Sequence, residues 1–341
     1  MDLAEHWPSW RLIGCTLVFT LGFGPIAAVG KSSHSSLVVD PNARGAPQVT
    51  RLYEARGQNI VGYPLNKDGL PSRRPDWELD GGLRGAVWVG FDGAGYLYVS
   101  DSVLNQVRIY SPGASGDAAP AQVVQLPDGG PHGAGGCAMA VNKAGYIFAT
   151  VIIDGFSCST TVLIYAPVTE QPATWLPQPI HTISMPMQPY LQDMVVDSSG
   201  RLYLTGGRAI FIYDDPINDW QAPSQTVLPT GTEYSIFPPI AVDSDNNDVY
   251  FQTQLRCCRP WQNVDAHAAR SLSGVGRDRI TESLNCDDDG ESPNQYSLAV
   301  NRNWLMYVCE DPNVLFVSHN RPGHQEAVEK LPGGYGLLLW P

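Results

Sequence analysis

One pattern recurs along most of the chain and constrains its fold more than any other feature. The segment "FDGAGYLYVS" (91–100) has four relatives: "VNKAGYIFAT" (141–150), "VDSSGRLYLT" (196–205), "VDSDNNDVYFQ" (242–252) and "VNRNWLMYVC" (300–309). Each combines an apolar strand, a polar turn and a second apolar strand with an aromatic residue at one place. The aromatics are Tyr98, Phe148, Tyr203, Tyr250 and Tyr307, and Tyr53 in "RLYEA" is a sixth. They are separated by 45, 50, 55, 47 and 57 residues, so the sequence indicates six copies of one unit.

The second half of the unit also recurs. A third strand is predicted at "NIVGYPL" (59–65), "QVRIYSP" (106–112), "TVLIYAP" (161–167), "AIFIYDD" (209–215) and "VLFVSHN" (314–320). A turn and another apolar run follow most of these, as in "AQVVQLP" (121–127) and "SQTVLPT" (224–230). Four strands repeated at this period are typical of a propeller blade, whose two apolar faces must be covered by neighbouring blades. We therefore predict an all-β, six-bladed β-propeller of four-stranded antiparallel blades.

The two ends of the repeat region complement each other. Five blades are complete, starting near residues 83, 131, 188, 234 and 292, whereas "RLYEARGQNIVGYPL" (51–65) lacks an inner strand. The C-terminal "GGYGLLLWP" (333–341) is an apolar run without a blade of its own. We predict that residues 335–340 supply the missing strand, which removes an exposed sheet edge. A seven-bladed ring that uses residues 35–50 is the alternative.

The N-terminal residues do not follow the repeat. Residues 12–30 form an uncharged apolar run that ends in small residues before the polar "KSSHSS". This pattern is typical of a secretory signal peptide, and an uncleaved membrane anchor is the alternative. The predicted organisation is a signal peptide at 1–30, an arm at 31–50 and the propeller at 51–341, in a protein secreted or placed outside the cytoplasm, including the periplasm.

The charge of the chain excludes some partner classes. The formal net charge is −13, and it becomes −12 when Asp2, Glu5 and Arg11 are removed with the first thirty residues (20 basic minus 32 acidic). An acidic surface disfavours nucleic acid, whose binding requires neutralisation of phosphates. It also disfavours anionic lipid. We expect no nucleic-acid partner, and no membrane association once the signal peptide is removed.

Six cysteines remain after residue 30, an even number that favours disulfides in an exported chain. They are Cys137, Cys158, Cys257, Cys258, Cys286 and Cys309. In the repeat they all fall on one face, in loops that enter inner strands or join second to third strands. We predict a Cys137–Cys158 disulfide and bonds from the adjacent pair 257–258 to the other two cysteines, in either order. A vicinal bridge and metal-binding thiols are the alternatives.

The repeat resembles a known family of propellers. The pattern VD-x-x-G-x-LY ("VDSSGRLY", 196–203) and the pattern N-x-V-x-IY-x-P ("NQVRIYSP", 105–112) resemble NHL-type six-bladed propellers. More loosely, they resemble the superfamily that holds streptogramin lyases and the senescence-marker/gluconolactonase proteins. The resemblance covers residues 51–341 and rests on turn and core residues.

The resemblance implies that ligands bind at the axial end formed by the loops that enter the inner strands and the loops between second and third strands. Candidate ligand or partner residues there are Arg84, Asp101, His132, Gln192, Asp193, Tyr234, Gln295, Tyr296 and Glu310. Trp261 is a further candidate, because the insertion 255–285 combines tryptophan with arginines, a composition typical of binding hot spots; an elongated hairpin is the alternative interpretation of that insertion.

Signals for catalysis and metal binding are sparse. His132, in the glycine-rich "DGGPHGAGG" (128–136), is the one catalytic candidate, with an ordinary loop histidine as the alternative. "CDDDGE" (286–291) offers Asp287, Asp289 and Glu291 as candidate Ca²⁺ ligands; otherwise no cofactor is expected. The sequence therefore favours a non-enzymatic binding scaffold for an unidentified protein or small-molecule ligand. A lactonase-like hydrolase or a lyase, with or without a metal, is the alternative.

Overall fold

A computed structural model describes residues 51–127, 138–150, 161–167, 178–185, 191–206, 209–227, 234–243, 248–255, 262–268, 279–283, 297–300, 304–308, 314–319, 329–332 and 336–340. These residues form strands and connecting turns, and none of them forms a helix. No described segment is a helix long and apolar enough to cross a membrane.

The described strands form six four-stranded antiparallel sheets. Sheet 1 contains β1 (Arg51–Ala55), β2 (Ile60–Pro64), β3 (Trp77–Leu79) and β24 (Gly336–Trp340), and sheet 2 contains β4 (Ala86–Phe91), β5 (Leu97–Asp101), β6 (Gln106–Tyr110) and β7 (Gln122–Gln125). Sheet 3 contains β8 (Met139–Val141), β9 (Ile147–Ala149), β10 (Thr161–Tyr165) and β11 (His181–Ser184), and sheet 4 contains β12 (Leu191–Val196), β13 (Leu202–Gly206), β14 (Ala209–Tyr213) and β15 (Gln225–Val227). Sheet 5 contains β16 (Tyr234–Asp243), β17 (Asp248–Leu255), β18 (Gln262–Ala268) and β19 (Arg279–Ser283), and sheet 6 contains β20 (Ser297–Val300), β21 (Trp304–Val308), β22 (Val314–His319) and β23 (Glu329–Pro332).

The C-terminal strand completes the N-terminal sheet, as the sequence predicts. Strand β24 pairs antiparallel with β1, from Arg51 opposite Trp340 to Ala55 opposite Gly336. On its other side β1 pairs with β2. Strand β1 is thus an internal strand with a hydrogen-bonded neighbour on each edge.

The innermost strands contact one another in cyclic order. Strand β24 contacts β4, and the contacts continue through β8, β12, β16 and β20 back to β24. Apolar side chains fill the spaces between successive sheets, and six tyrosines and Phe148 are among the largest fully buried side chains. Tyr98 packs in the cluster shared with sheet 3, and Tyr110 packs in the cluster shared with sheet 1. This arrangement is that of a β-propeller.

The turn between the first two strands of a sheet is organised by one side chain. In sheet 2, Asp92 Oδ1 accepts the backbone N–H groups of Ala94 (2.9 Å) and Tyr96 (3.0 Å), and Oδ2 accepts the Tyr98 hydroxyl (3.0 Å). Gly95 follows with φ of 85°, a left-handed conformation that favours glycine. The aspartate therefore joins the turn to the buried tyrosine of the next strand.

The same turn occurs in sheets 3 and 4, but the side chain that organises it is an asparagine in sheet 3 and an aspartate in sheet 4. In sheet 4, Asp197 accepts the N–H groups of Ser199 and Arg201 and the Tyr203 hydroxyl, the last at 3.0 Å. In sheet 3, Asn142 accepts the two turn N–H groups at 3.1 and 3.0 Å, and the aromatic residue is Phe148, which has no hydroxyl. Among these three turns, a carboxylate is present in the two whose aromatic residue carries a hydroxyl.

We expect Asp197→Ala to lower the free energy of unfolding by about 3 kcal/mol, because the buried Tyr203 hydroxyl and the partly buried N–H groups of Ser199 and Arg201 lose their acceptor. Asp197→Asn should cost less, because its amide oxygen can still accept the turn N–H groups, as Asn142 does. Urea unfolding of both variants measures the difference. Equal losses in the two variants would contradict the proposed division of roles between the two carboxylate oxygens.

Candidate functional site

The loops predicted to form the binding face meet at the junction of sheets 1 and 2. We call the loop face the surface formed here by residues 56–59 between β1 and β2, residues 102–105 between β5 and β6, and residues 80–85 before β4. Gly57 N–H donates to the Ala86 carbonyl (3.0 Å), and Ala86 N–H donates to the Gly57 carbonyl (2.6 Å). This backbone bridge fixes the loop of sheet 1 against the start of the inner strand of sheet 2.

The buried Asp101 side chain holds two segments of the loop face together. Its side chain is fully buried, its Oδ2 accepts the Arg84 N–H (3.0 Å), and its Oδ1 accepts the Leu104 N–H (3.2 Å). The Arg108 Nε lies 3.9 Å from Oδ2. This predicted ligand residue therefore holds the two loops together, and its carboxylate does not reach the surface.

Arg84 and Val103 form the exposed part of the loop face. Arg84 is exposed, and Val103 leaves 57% of its surface accessible. Gly85 allows the Val103 loop to lie close, because a Cβ on Gly85 would be 2.6 Å from Val103 Cγ2 and 2.8 Å from the Val103 nitrogen. An exposed cation and an exposed aliphatic side chain thus lie at adjoining segments.

A buried ion pair that the sequence analysis missed lies under the sheet 1 loop. Glu54 is fully buried, its Oε2 accepts a hydrogen bond from Arg56 Nε at 2.9 Å, and Arg56 Nη2 lies 2.9 Å from the same oxygen. Arg56 also donates to the Tyr63 hydroxyl. Burial raises the pKa of Tyr63. One feature of the sequence could have indicated this ion pair. Glu54 lies in "RLYEA" (51–55) at a position where the alternation of the strand places a side chain in the core.

Asp193 is likewise a structural group at a sheet junction. It is fully buried, and its Oδ2 accepts the N–H of Ile240 in sheet 5 at 2.9 Å. Ile240 follows Pro238 and Pro239, which have no N–H, at an irregularity in the pairing of β16. The carboxylate therefore connects sheets 4 and 5 where the ladder of β16 is interrupted.

We expect Asp193→Ala to lower the free energy of unfolding by about 2 kcal/mol, because the buried Ile240 N–H loses its acceptor. Asp193→Asn keeps an oxygen acceptor and should cost less. Urea unfolding followed by tryptophan fluorescence measures both variants. An alanine variant as stable as the wild type would show that the contact between sheets 4 and 5 contributes nothing.

The other predicted site residues are less fully described. Gln192 lies in β12 at a bulge between Leu191 and Asp193, and Tyr234 begins β16 opposite Leu255. The remaining site, metal and disulfide candidates lie outside the described residues: His132, Trp261, Gln295, Tyr296, Glu310, Asp287, Asp289, Glu291, Cys137, Cys158, Cys257, Cys258, Cys286 and Cys309. Within the described ranges, no group of three or more His, Cys, Asp or Glu side chains is arranged to hold a metal ion.

Comparisons with known proteins identify the fold. No protein-family model and no curated protein sequence matches the chain. A crystal structure of a nidogen/laminin complex contains a chain with a TM-score of 0.58 and 12% identity, covering 85% of this chain and 98% of that one. The WD40 β-propeller domain of Doa1 has a TM-score of 0.50 and 14% identity, covering 84% and 78%.

A 6-phosphogluconolactonase-like protein of Bacteroides uniformis has a TM-score of 0.48 and 14% identity, covering 87% of this chain and 85% of that one. At these sequence identities, the similarities show the fold alone. Together with the cyclic contacts of the inner strands, the similarity to the nidogen/laminin complex and the Doa1 domain shows that the chain is a β-propeller.

Proposed function

We propose that the protein is a secreted, NHL-like six-bladed propeller that acts as a non-enzymatic binding scaffold through the loop face. The observation that carries this proposal is the state of the carboxylates beside that face. Glu54 and Asp101 beneath that face are fully buried and accept hydrogen bonds from arginine or backbone N–H groups. The exposed Asp80 at its edge accepts the N–H of Gly81 in its own turn at 2.6 Å. A hydrolase needs a carboxylate or imidazole that reaches its substrate, whereas a scaffold needs a rigid surface.

The strand arrangement supports the proposed number of six blades. Six four-stranded sheets are present in the described part of the chain, and β24 contacts both β20 and β4. A seventh blade would have to insert between strands that already touch. The alternative use of residues 35–50 lies outside the described residues.

Export is supported by the sequence alone. The apolar run at 12–30 and the even number of cysteines after it favour an oxidising destination. Peptide mapping without reduction should find the six cysteines in disulfides, including Cys137–Cys158. Free thiols throughout would contradict both the pairing and the proposed location.

Protein binding has a precedent in a similar structure, which is that of a nidogen/laminin complex. Binding to another protein is a property of those proteins. It is the reason to test proteins first as partners of this chain.

Affinity capture with matched variants tests the scaffold. The bait variant Arg84→Gln/Val103→Glu changes the loop face, and the control variant Ala94→Glu/Ala144→Glu makes the same change of net charge in exposed turns at the opposite ends of the inner strands. A partner retained by wild type and control but lost by the loop-face variant, and then bound directly in calorimetry with the purified protein, supports the proposal. Turnover of lactones by the wild-type protein, or equal capture by all three proteins, would overturn it.

A further inference from the structure

We propose that the junction of sheets 2 and 3 holds one buried water molecule, which bonds to the Trp88 indole N–H and to the Ser100 hydroxyl. This inference concerns the interior of the propeller and does not depend on the proposed scaffold function.

Two buried polar atoms mark the site. Trp88 and Ser100 lie directly opposite each other on β4 and β5, and only 3% and 1% of their surfaces are accessible. Neither Trp88 Nε1 nor Ser100 Oγ has a hydrogen-bond partner among the residues that the structure describes. Leaving a buried polar atom unsatisfied is costly, and nearly all such atoms in native proteins bond to protein or to water.

The equivalent hydroxyls in sheets 3 and 4 bond directly to the inner strand. The Thr150 hydroxyl accepts the Ala138 N–H at 3.0 Å and donates to the Ala138 carbonyl at 3.3 Å. The Thr205 hydroxyl donates to the Asp193 carbonyl at 3.2 Å. Each threonine follows the repeated aromatic by two positions, as Ser100 does. Since Ser100 makes no such bond, sheet 2 needs another partner for its hydroxyl.

The surroundings hold the Trp88 indole in one orientation. A Cβ on Gly90 would lie 2.1 Å from Trp88 Cη2, so the six-membered ring covers Gly90 along β4. The five-membered ring, which carries the N–H, therefore lies nearer the Trp88 backbone, across the sheet from Ser100. On the other side of Ser100 lies Val107, which belongs with Trp88 to the apolar cluster shared by sheets 2 and 3.

Water fits these two groups in hydrogen bonding, charge and size. An indole N–H only donates, whereas a serine hydroxyl donates and accepts, so one molecule with both capacities can satisfy them together. The apolar cluster disfavours an ion, because a buried charge without a partner is costly. Protein interiors are close-packed, and a buried water molecule requires at least about two polar partners. Trp88 and Ser100 provide two.

A crystal structure of the full chain at a resolution that shows ordered water tests the site directly. We expect one water molecule within hydrogen-bond distance of both Trp88 Nε1 and Ser100 Oγ. A direct hydrogen bond between the two side chains, a bond from each to the backbone, or an ordered ion in the site would overturn the inference.

Urea unfolding of Trp88→Phe, Ser100→Ala and the double variant tests the shared water in solution. Because either substitution removes one of its two partners, we expect the shift of the midpoint in the double variant to be smaller than the sum of the single shifts. The control pair is Trp88→Phe with Thr205→Ala, whose hydroxyl bonds directly within sheet 4; its shifts should add. Additive shifts in the first pair, or equal non-additivity in the control pair, would overturn the inference.

Discussion

Removal of residues 336–341 is expected to prevent the protein from reaching its native state. The deletion removes β24, which pairs with β1 along five residues and contacts β4 and β20. About five backbone hydrogen bonds at roughly 1 kcal/mol each amount to much of the stability of a typical domain. In addition, β1 becomes an exposed edge, which favours aggregation. Soluble yield and the thermal unfolding transition measure the effect.

A synthetic peptide of residues 333–341 provides the matched control. Added to the truncated protein during refolding, it should restore soluble protein with a cooperative transition, whereas a peptide of scrambled sequence should not. A truncated protein that folds cooperatively without any peptide would show that the pairing of β24 with β1 is dispensable.

Alkaline pH is expected to unfold the protein steeply. Burial raises the pKa of Tyr165 and of Tyr213 to about 12, against about 10 in an unfolded chain. Between these values the unfolded state releases protons that the folded state retains, so the stability present below pH 10 is lost as the pH rises through 12. These two residues alone account for about 5 kcal/mol by pH 12. Tyr63, Tyr98 and Tyr203 have raised pKa values for the same main reason, burial.

Simultaneous recording of tyrosinate absorbance and far-ultraviolet circular dichroism tests this prediction. We expect the buried tyrosines to ionise together with the loss of β structure, above pH 10. Tyr165→Phe removes one of the titrating groups and should move the midpoint to higher pH. Ionisation of all tyrosines near pH 10 with the sheets intact would contradict the proposed burial effect.

The strands were predictable because their signals are local. Alternation of apolar residues and the turn residues between them identified the repeated unit, and the glycine turns at Gly95, Gly145 and Gly200 have the positive φ that their position requires. The pairing of β24 with β1 was also predictable, since an incomplete blade and an unassigned apolar run remained at opposite ends of the repeat. The first inference depends on the alternation of side chains between the two faces of a strand, and the second on the need to pair a strand edge; both hold for any sheet.

The candidate site was less predictable, as Asp101 and Asp193 illustrate. Both are polar residues at strand ends, where the repeat places ligand-binding loops, yet both are buried. A bulge beside Asp193 shifts the alternation of β12 by one residue. The side chains after the bulge therefore point to the face opposite to the one that simple alternation predicts. The ion pair of Glu54 with Arg56 was missed because its stability depends on burial and geometry that residue type does not specify.

The sequence by itself determined the all-β class, the repeated unit and the strand that completes sheet 1, because these follow from periodicity and from the requirement that strand edges be paired. Only the tertiary structure decided which polar groups face the core and which remain available to a partner. Bulges, the Gly57–Ala86 bridge and contacts between sheets set those orientations, and they arise from residues far apart in the chain. They leave Arg84 and Val103 at the surface and Asp101 beneath them.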